Sequence, residues 1–184
     1  MEISASLVKE LRERTGSGLM ECKRTLVETK GDIDAAIESM RKSGLAKADK
    51  KAGRIAADGI IALCLRKKKK KGAMVEVNCE TDFVAKGEAF LAFANQTLSR
   101  IIKGQPKDLD ALMKMPLADG DSQSINTARL ELIAKIGENV NVRRFVLCTT
   151  SKGVIGAYPH GNRIGVLVEL TNPHPGLAKD IAMH

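Results

Sequence analysis

Apolar residues recur at helical spacing through the first forty positions and change to a strand-like run near residue 60, with alternation over Met74 to Cys79. Ile3, Leu7, Val8 and Leu11 share one helical stripe, which Gly16 and Gly18 interrupt. Leu19, Cys22, Leu26 and Val27 draw a second stripe. Gly31-Asp32 then supplies a turn and an N-cap, and Ile33, Ala36, Ile37 and Met40 follow the i, i+3, i+4, i+7 pattern up to Gly44. The pattern predicts a three-helix bundle over residues 1–44. Residues 45–57 are basic and alanine-rich, with a weak apolar stripe through Leu45, Ala48, Ala52 and Ile55, and read as a linker helix.

Beyond residue 58 the pattern becomes strand-like. Ile60 to Leu65 is a strand-like apolar run, and in Met74 to Cys79 the side chains of Val75, Val77 and Cys79 share one face while Glu76 and Asn78 point the other way. Together they predict a hairpin. Lys67 to Lys71 fall at its tip, where no lysine readily adopts the positive φ of a tight turn, so a longer, solvated and mobile loop is expected. Phe90, Phe93, Ala94, Thr97, Leu98, Ile101 and Ile102 then mark one helical face ending at Gly104. Residues 105–123 are polar and broken by Pro106, Pro116 and Gly120, although Leu109, Leu112 and Met113 suggest a turn or two of helix; this is expected to be the most mobile part of the core.

Ser124 can cap a helix carrying Ala128, Leu132 and Ile136 and closed by Gly137, and strands are expected over Asn141 to Cys148, Val154 to Tyr158 and Ile164 to Leu170. The fold class predicted is α+β: the N-terminal bundle, the linker helix, then antiparallel strands packed on helices. A faint repeat relates Gly59 to Val77 with Gly153 to Leu170, each copy leading into a helix. Residues 58–150 therefore read as the first half of a core and 151–184 as the start of a second half. That last helix, from about Gly176, places Leu177 and Ile181 on one face and stops mid-stripe at His184, so the second half reads as incomplete.

Charge alters this picture less than its total suggests. The formal net charge is +8, but residues 1–71 hold 18 Lys and Arg against 10 Asp and Glu, whereas residues 72–184 hold 12 against 12. Without the five-lysine run the chain would be only +3. With four Phe, one Tyr and no Trp, none interleaved with the lysines, stacking platforms for single-stranded nucleic acid are poorly supported. Specific nucleic-acid recognition is therefore not expected. No apolar run approaches the ~18 residues of a membrane span, and no membrane partner is expected. Cys22, Cys64, Cys79 and Cys148 are isolated from one another and from histidine, which argues against a metal site and fits a reducing cytoplasm. No phosphate loop, nucleophile elbow or zinc-protease motif is present.

The remaining chemistry is concentrated in Glu80-Thr81-Asp82-Phe83-Val84-Ala85, at a strand-to-helix corner. Thr81 suits an N-cap, and Asp82 falls in the first turn, where a negative charge complements the helix dipole. Phe83 is open to two readings: the first core residue of the following helix, or an aromatic displayed for insertion into something else.

The run from Val77 to Ala85 closely resembles the signature of the elongation factor Ts family. Leu7 to Lys23 resembles the family's amino-terminal signature, and Ala134 to Arg144 and His160 to Val168 are similar to two further motifs, all in the family's order. The resemblance implies the long form of the family, truncated within the second half of the core, with a ubiquitin-associated-like opening bundle. It also implies a guanine nucleotide exchange factor rather than an enzyme, needing no cofactor, whose partner is elongation factor Tu in its nucleotide-free or GDP-bound state. By the same resemblance Asp82 and Phe83 would intrude near the partner's magnesium and phosphate site, with Thr81, Val84 and His160 beside them. Arg12, Leu19, Met20 and Lys23 would touch the partner from the bundle, with Leu19 standing where the family often has methionine. Read on their own, Leu19 and Met20 could equally lie inside the bundle, and His160 beside Gly161-Asn162 could be an ordinary turn residue. A basic adaptor for nucleic acid or the ribosome, using the bundle and the lysine run, is the alternative; its binding would collapse with salt.

Overall fold

The computed structural model describes residues 3–66 and 70–184, apart from the side chains of residues 45, 47, 49 and 175. Helix α1 (Ala5–Thr15) starts at the N-cap Ser4, whose hydroxyl accepts from the Leu7 amide, and ends in left-handed Gly16. Helices α2 (Leu19–Glu28) and α3 (Ile33–Lys51) complete the bundle. Its core is Val8, Leu11, Cys22, Leu26 and Ala36. In α2 the buried set is Cys22, Thr25 and Leu26, so the expected stripe is rotated and Leu19 and Val27 lie outside it.

The helix expected to stop at Gly44 instead runs through it to Lys51, and no separate linker helix spans 45–57. Packing accounts for this: α3 lies along α7 (Ile125–Ile136), and a Cβ on Gly44 would sit 3.0 Å from the Ala134 Cβ. Gly44 is a point of close helix approach, and that contact outweighs its poor helix propensity. Ala48 is fully buried, whereas Ala52 and Ile55 follow the helix and are exposed.

Strands β1 (Asp58–Arg66) and β2 (Lys71–Cys79) form the expected hairpin, paired from Asp58↔Cys79 to Arg66↔Lys71. The expectation of a mobile loop falls largely on residues 67–69, outside the described residues. Lys70 is not simply solvated, because its ammonium donates to the carbonyls of Lys152, at 2.9 Å, and of Gly153. Strand β3 (Asn141–Thr149) joins β2, with a register shift at Glu76/Val77 that leaves Arg143 unpaired in the ladder. The sheet order is β1-β2-β3.

One face of this sheet carries Ile60, Ala62, Val75, Val77 and Val142 and is covered by α5 (Glu88–Gly104), which contributes Phe90, Phe93, Ala94, Leu98 and Ile101. Between α5 and α7, the polar 105–123 segment holds α6 (Leu109–Lys114), whose Leu112 is fully buried in this core. The segment is thus anchored at its centre. On the sheet's other face lies a second antiparallel hairpin, β4 (Val154–His160) and β5 (Ile164–Leu170). Gly165 permits that approach: a Cβ there would meet Ile61 Cγ2 at 2.8 Å. Helix α8 (Pro175–Met183) packs back on β4 and β5, where Gly156 faces Ala178. Hairpin followed by helix thus occurs twice, as the repeat predicts. The α+β class holds, with helices and antiparallel sheets in the expected order.

Candidate functional site

Between Cys79, the last residue of β2, and α5 the chain makes one short helix, α4 (Asp82–Ala85), capped by Thr81. The Thr81 backbone is extended (φ −128°, ψ 153°) and its hydroxyl accepts from the Val84 amide at 3.4 Å. Within this turn the two apolar residues part. Val84 faces inward at 9% exposure and joins the main core, whereas Phe83 is 85% exposed. Of the two readings left open by the sequence, the core reading of Phe83 does not survive. Val84 supports the corner from beneath and does not project from it.

Asp82 is exposed and accepts from Lys86 Nζ at 2.7 Å, one turn along. That ammonium holds the Asp82 carboxyl below the usual carboxylate range, through its hydrogen bond first and its charge second, with Arg163 adding a smaller pull. Arg163 belongs to the β4–β5 turn and pairs with Asp58 at 3.1 Å, opposite Cys79 in the hairpin ladder. The Asn162 carbonyl also accepts from the Ile61 amide at 2.7 Å. The turn after His160 is therefore docked at the end of the sheet that bears Asp82. His160 is exposed, its Nδ1 2.9 Å from the Tyr158 hydroxyl.

The corner rests on a polar knot that sequence reasoning did not single out. Left-handed Gly137 (φ 87°) closes α7, and its carbonyl accepts from Lys51 Nζ at 2.9 Å. Glu138 then accepts from both the Thr81 hydroxyl (2.7 Å) and the Thr81 amide (3.1 Å). The Asn139 amide donates to Glu80 at 2.6 Å, and its side chain donates to the carbonyls of Ala52 and Arg54. Arg54 in turn lies 3.5 Å from Glu80. In the sequence, Gly137, Glu138 and Asn139 lie within the Ala134 to Arg144 stretch that resembles a family motif, but no local pattern pairs them with Glu80 and Thr81. Beneath the knot, the buried Cys79 thiol lies 3.2 Å from the Thr81 carbonyl, and burial, followed by the charges of Glu138 and Asp58, pushes it up to about 11.

On the bundle, Arg12, Leu19, Met20 and Lys23 are all exposed, Met20 at 75% and Leu19 at 54%. The reading that buries the last two apolar residues in the bundle is thereby corrected. This patch and the Asp82-Phe83 corner sit on two different hydrophobic cores joined by α3. No helix among the described residues is long and apolar enough to cross a membrane.

The geometry defines an α+β protein with two hydrophobic cores that displays an acidic-aromatic corner on a hydrogen-bonded polar base. The Elongation factor TS family profile matches residues 80–184, and the chain belongs to that family. It is similar to elongation factor Ts of Alkalilimnicola ehrlichii, 58% identical over 184 residues that cover 100% of this chain and 62% of that protein. Elongation factor Ts of Thioalkalivibrio sulfidiphilus is 58% identical over 185 residues, and that of Methylococcus capsulatus 53% over 184, each again covering 100% of this chain and 62% of the relative. The chain thus spans about 62% of the length of these curated relatives.

Proposed function

We propose that this chain acts as a guanine nucleotide exchange factor for elongation factor Tu, in the cytoplasm, promoting GDP release without catalysing a chemical reaction. The observation that carries the reading is Phe83, an aromatic held 85% exposed on a turn whose neighbours on either side are anchored. Single exposed apolar residues are common on protein surfaces, Ile55 among them here; what supports the reading is that Phe83 stands on a capped corner, where a partner pocket can engage its ring.

In this reading the ring wedges into the nucleotide domain of the partner while Asp82 competes for groups that order its magnesium and phosphate region. Burying a phenylalanine contributes about 1.5–3 kcal/mol. If that contact forms only with the nucleotide-free state, nucleotide affinity weakens by the same coupling free energy, roughly 10- to 150-fold. In this reading Thr81 and His160 meet the partner beside the corner, buried Val84 fixes it from the core side, and Arg12, Leu19, Met20 and Lys23 supply a second contact from the bundle. The division at residues 57 and 150 belongs to this proposal, and α3 runs unbroken from the bundle into the core.

The test is release of a fluorescent GDP analogue from elongation factor Tu with and without this chain, at two salt concentrations. Acceleration that survives the higher salt supports exchange. No acceleration and no binding to nucleotide-free elongation factor Tu would overturn it, and salt-sensitive binding indifferent to nucleotide would favour the basic adaptor.

A further inference from the structure

We infer that Glu138 is a positioning residue for the Asp82-Phe83 corner, acting as the missing half of a capping box supplied from a distant loop; this rests on the exchange reading above. In an ordinary capping box the N-cap hydroxyl binds the amide three residues on, and a Glu or Gln at that third position reaches back to the N-cap amide. Here Thr81 makes the first bond to Val84, but Val84 has no polar group with which to return it. The carboxylate arrives from Glu138, 57 residues further along, and takes both Thr81 donors, the amide at 3.1 Å and the hydroxyl at 2.7 Å.

A helix of four residues, such as α4, cannot hold its own direction, because nucleating one turn is unfavourable. Its orientation is set by what grips its ends. At the N-terminus the grip is Glu138, and the Cys79 thiol 3.2 Å from the Thr81 carbonyl lies under the same residue. Glu138 is itself held between left-handed Gly137, tied to Lys51, and Asn139, tied to Ala52, Arg54 and Glu80. The direction of Phe83 is therefore dictated by the α7–β3 loop and the end of α3.

The test uses Glu138→Gln, which leaves at most one good acceptor for two donors, and Thr81→Ser, which keeps every bond. In the free chain, Glu138→Gln is expected to speed hydrogen exchange at the Thr81 amide about tenfold or more, with Thr81→Ser close to the parent. Stimulated GDP release should fall about 5-fold or more in Glu138→Gln. Because Glu138 acts through the corner, adding it to Phe83→Ala should cause little further loss, whereas an independent role would multiply. An unchanged Thr81 amide, or full additivity with Phe83→Ala, overturns the positioning role. Absence of stimulation by the parent chain overturns the exchange reading and with it what the clasp is for, while the amide measurement still reports whether the clasp exists.

Discussion

Replacing Phe83 by alanine separates display from packing most directly. A phenylalanine side chain brings about 200 Å² of surface, and Phe83 leaves 85% of its own exposed. The fold therefore withholds only about 30 Å² from water, which contributes about 0.8 kcal/mol at ~25 cal/mol per Å². Alanine recovers about half of that through its better helix propensity. The net change in stability should stay below about 1 kcal/mol, a shift of no more than ~4 °C in Tm for a chain of this size. Phe90→Ala provides the contrast. Phe90 is fully buried in the main core, and its truncation should cost about 3–5 kcal/mol. Differential scanning calorimetry on both variants, beside stimulated GDP release, reads the two quantities together. Phe83→Ala should melt with the parent yet lose about tenfold or more of its stimulation, since a buried ring contributes about 1.5–3 kcal/mol. A Tm loss matching that of Phe90→Ala would show that the ring is structural. Parent-like stimulation would remove it from the mechanism.

Gly165→Val should destabilise the packing of the second hairpin by about 1–3 kcal/mol, because even a Cβ there falls 2.8 Å from Ile61 Cγ2; urea unfolding measures this. Met20→Ala should leave Tm within ~2 °C, since Met20 is 75% exposed, while weakening association with nucleotide-free elongation factor Tu in calorimetric titration. Cys79 makes the fold sensitive to alkali: its folded value of about 11 exceeds the ordinary 9.0, so the thiol is neutral in both states below pH 9 and its contribution is lost as pH rises from about 9 to about 11. Cys79→Ala should flatten stability across that window, and in the parent at pH 8 Cys79 should alkylate far more slowly than partly exposed Cys64 or Cys148.

Local physics was enough to read most elements from the chain. An apolar run located β1 and alternation located β2, and the Thr81 cap was legible because an extended hydroxyl residue before an acidic turn satisfies helix amides locally. Where periodicity misled, a contact from elsewhere had intervened. Gly44 looked like a stop until Ala134 gave it a reason to continue the helix, and Leu19 looked like core until Thr25 took the inward position in α2.

The sequence by itself determined the order of helices and hairpins, the repeat, and the place of Asp82 and Phe83 at a capped corner, since these depend on spacing, turn chemistry and pattern. Only the tertiary structure decided that Phe83 points outward while Val84 points inward, and that Glu138 rather than a neighbour completes the cap. Two adjacent apolar residues on a short turn are equivalent to any periodicity argument. Which of them is displayed depends on groups that arrive from 57 residues away, and no local window contains that distance.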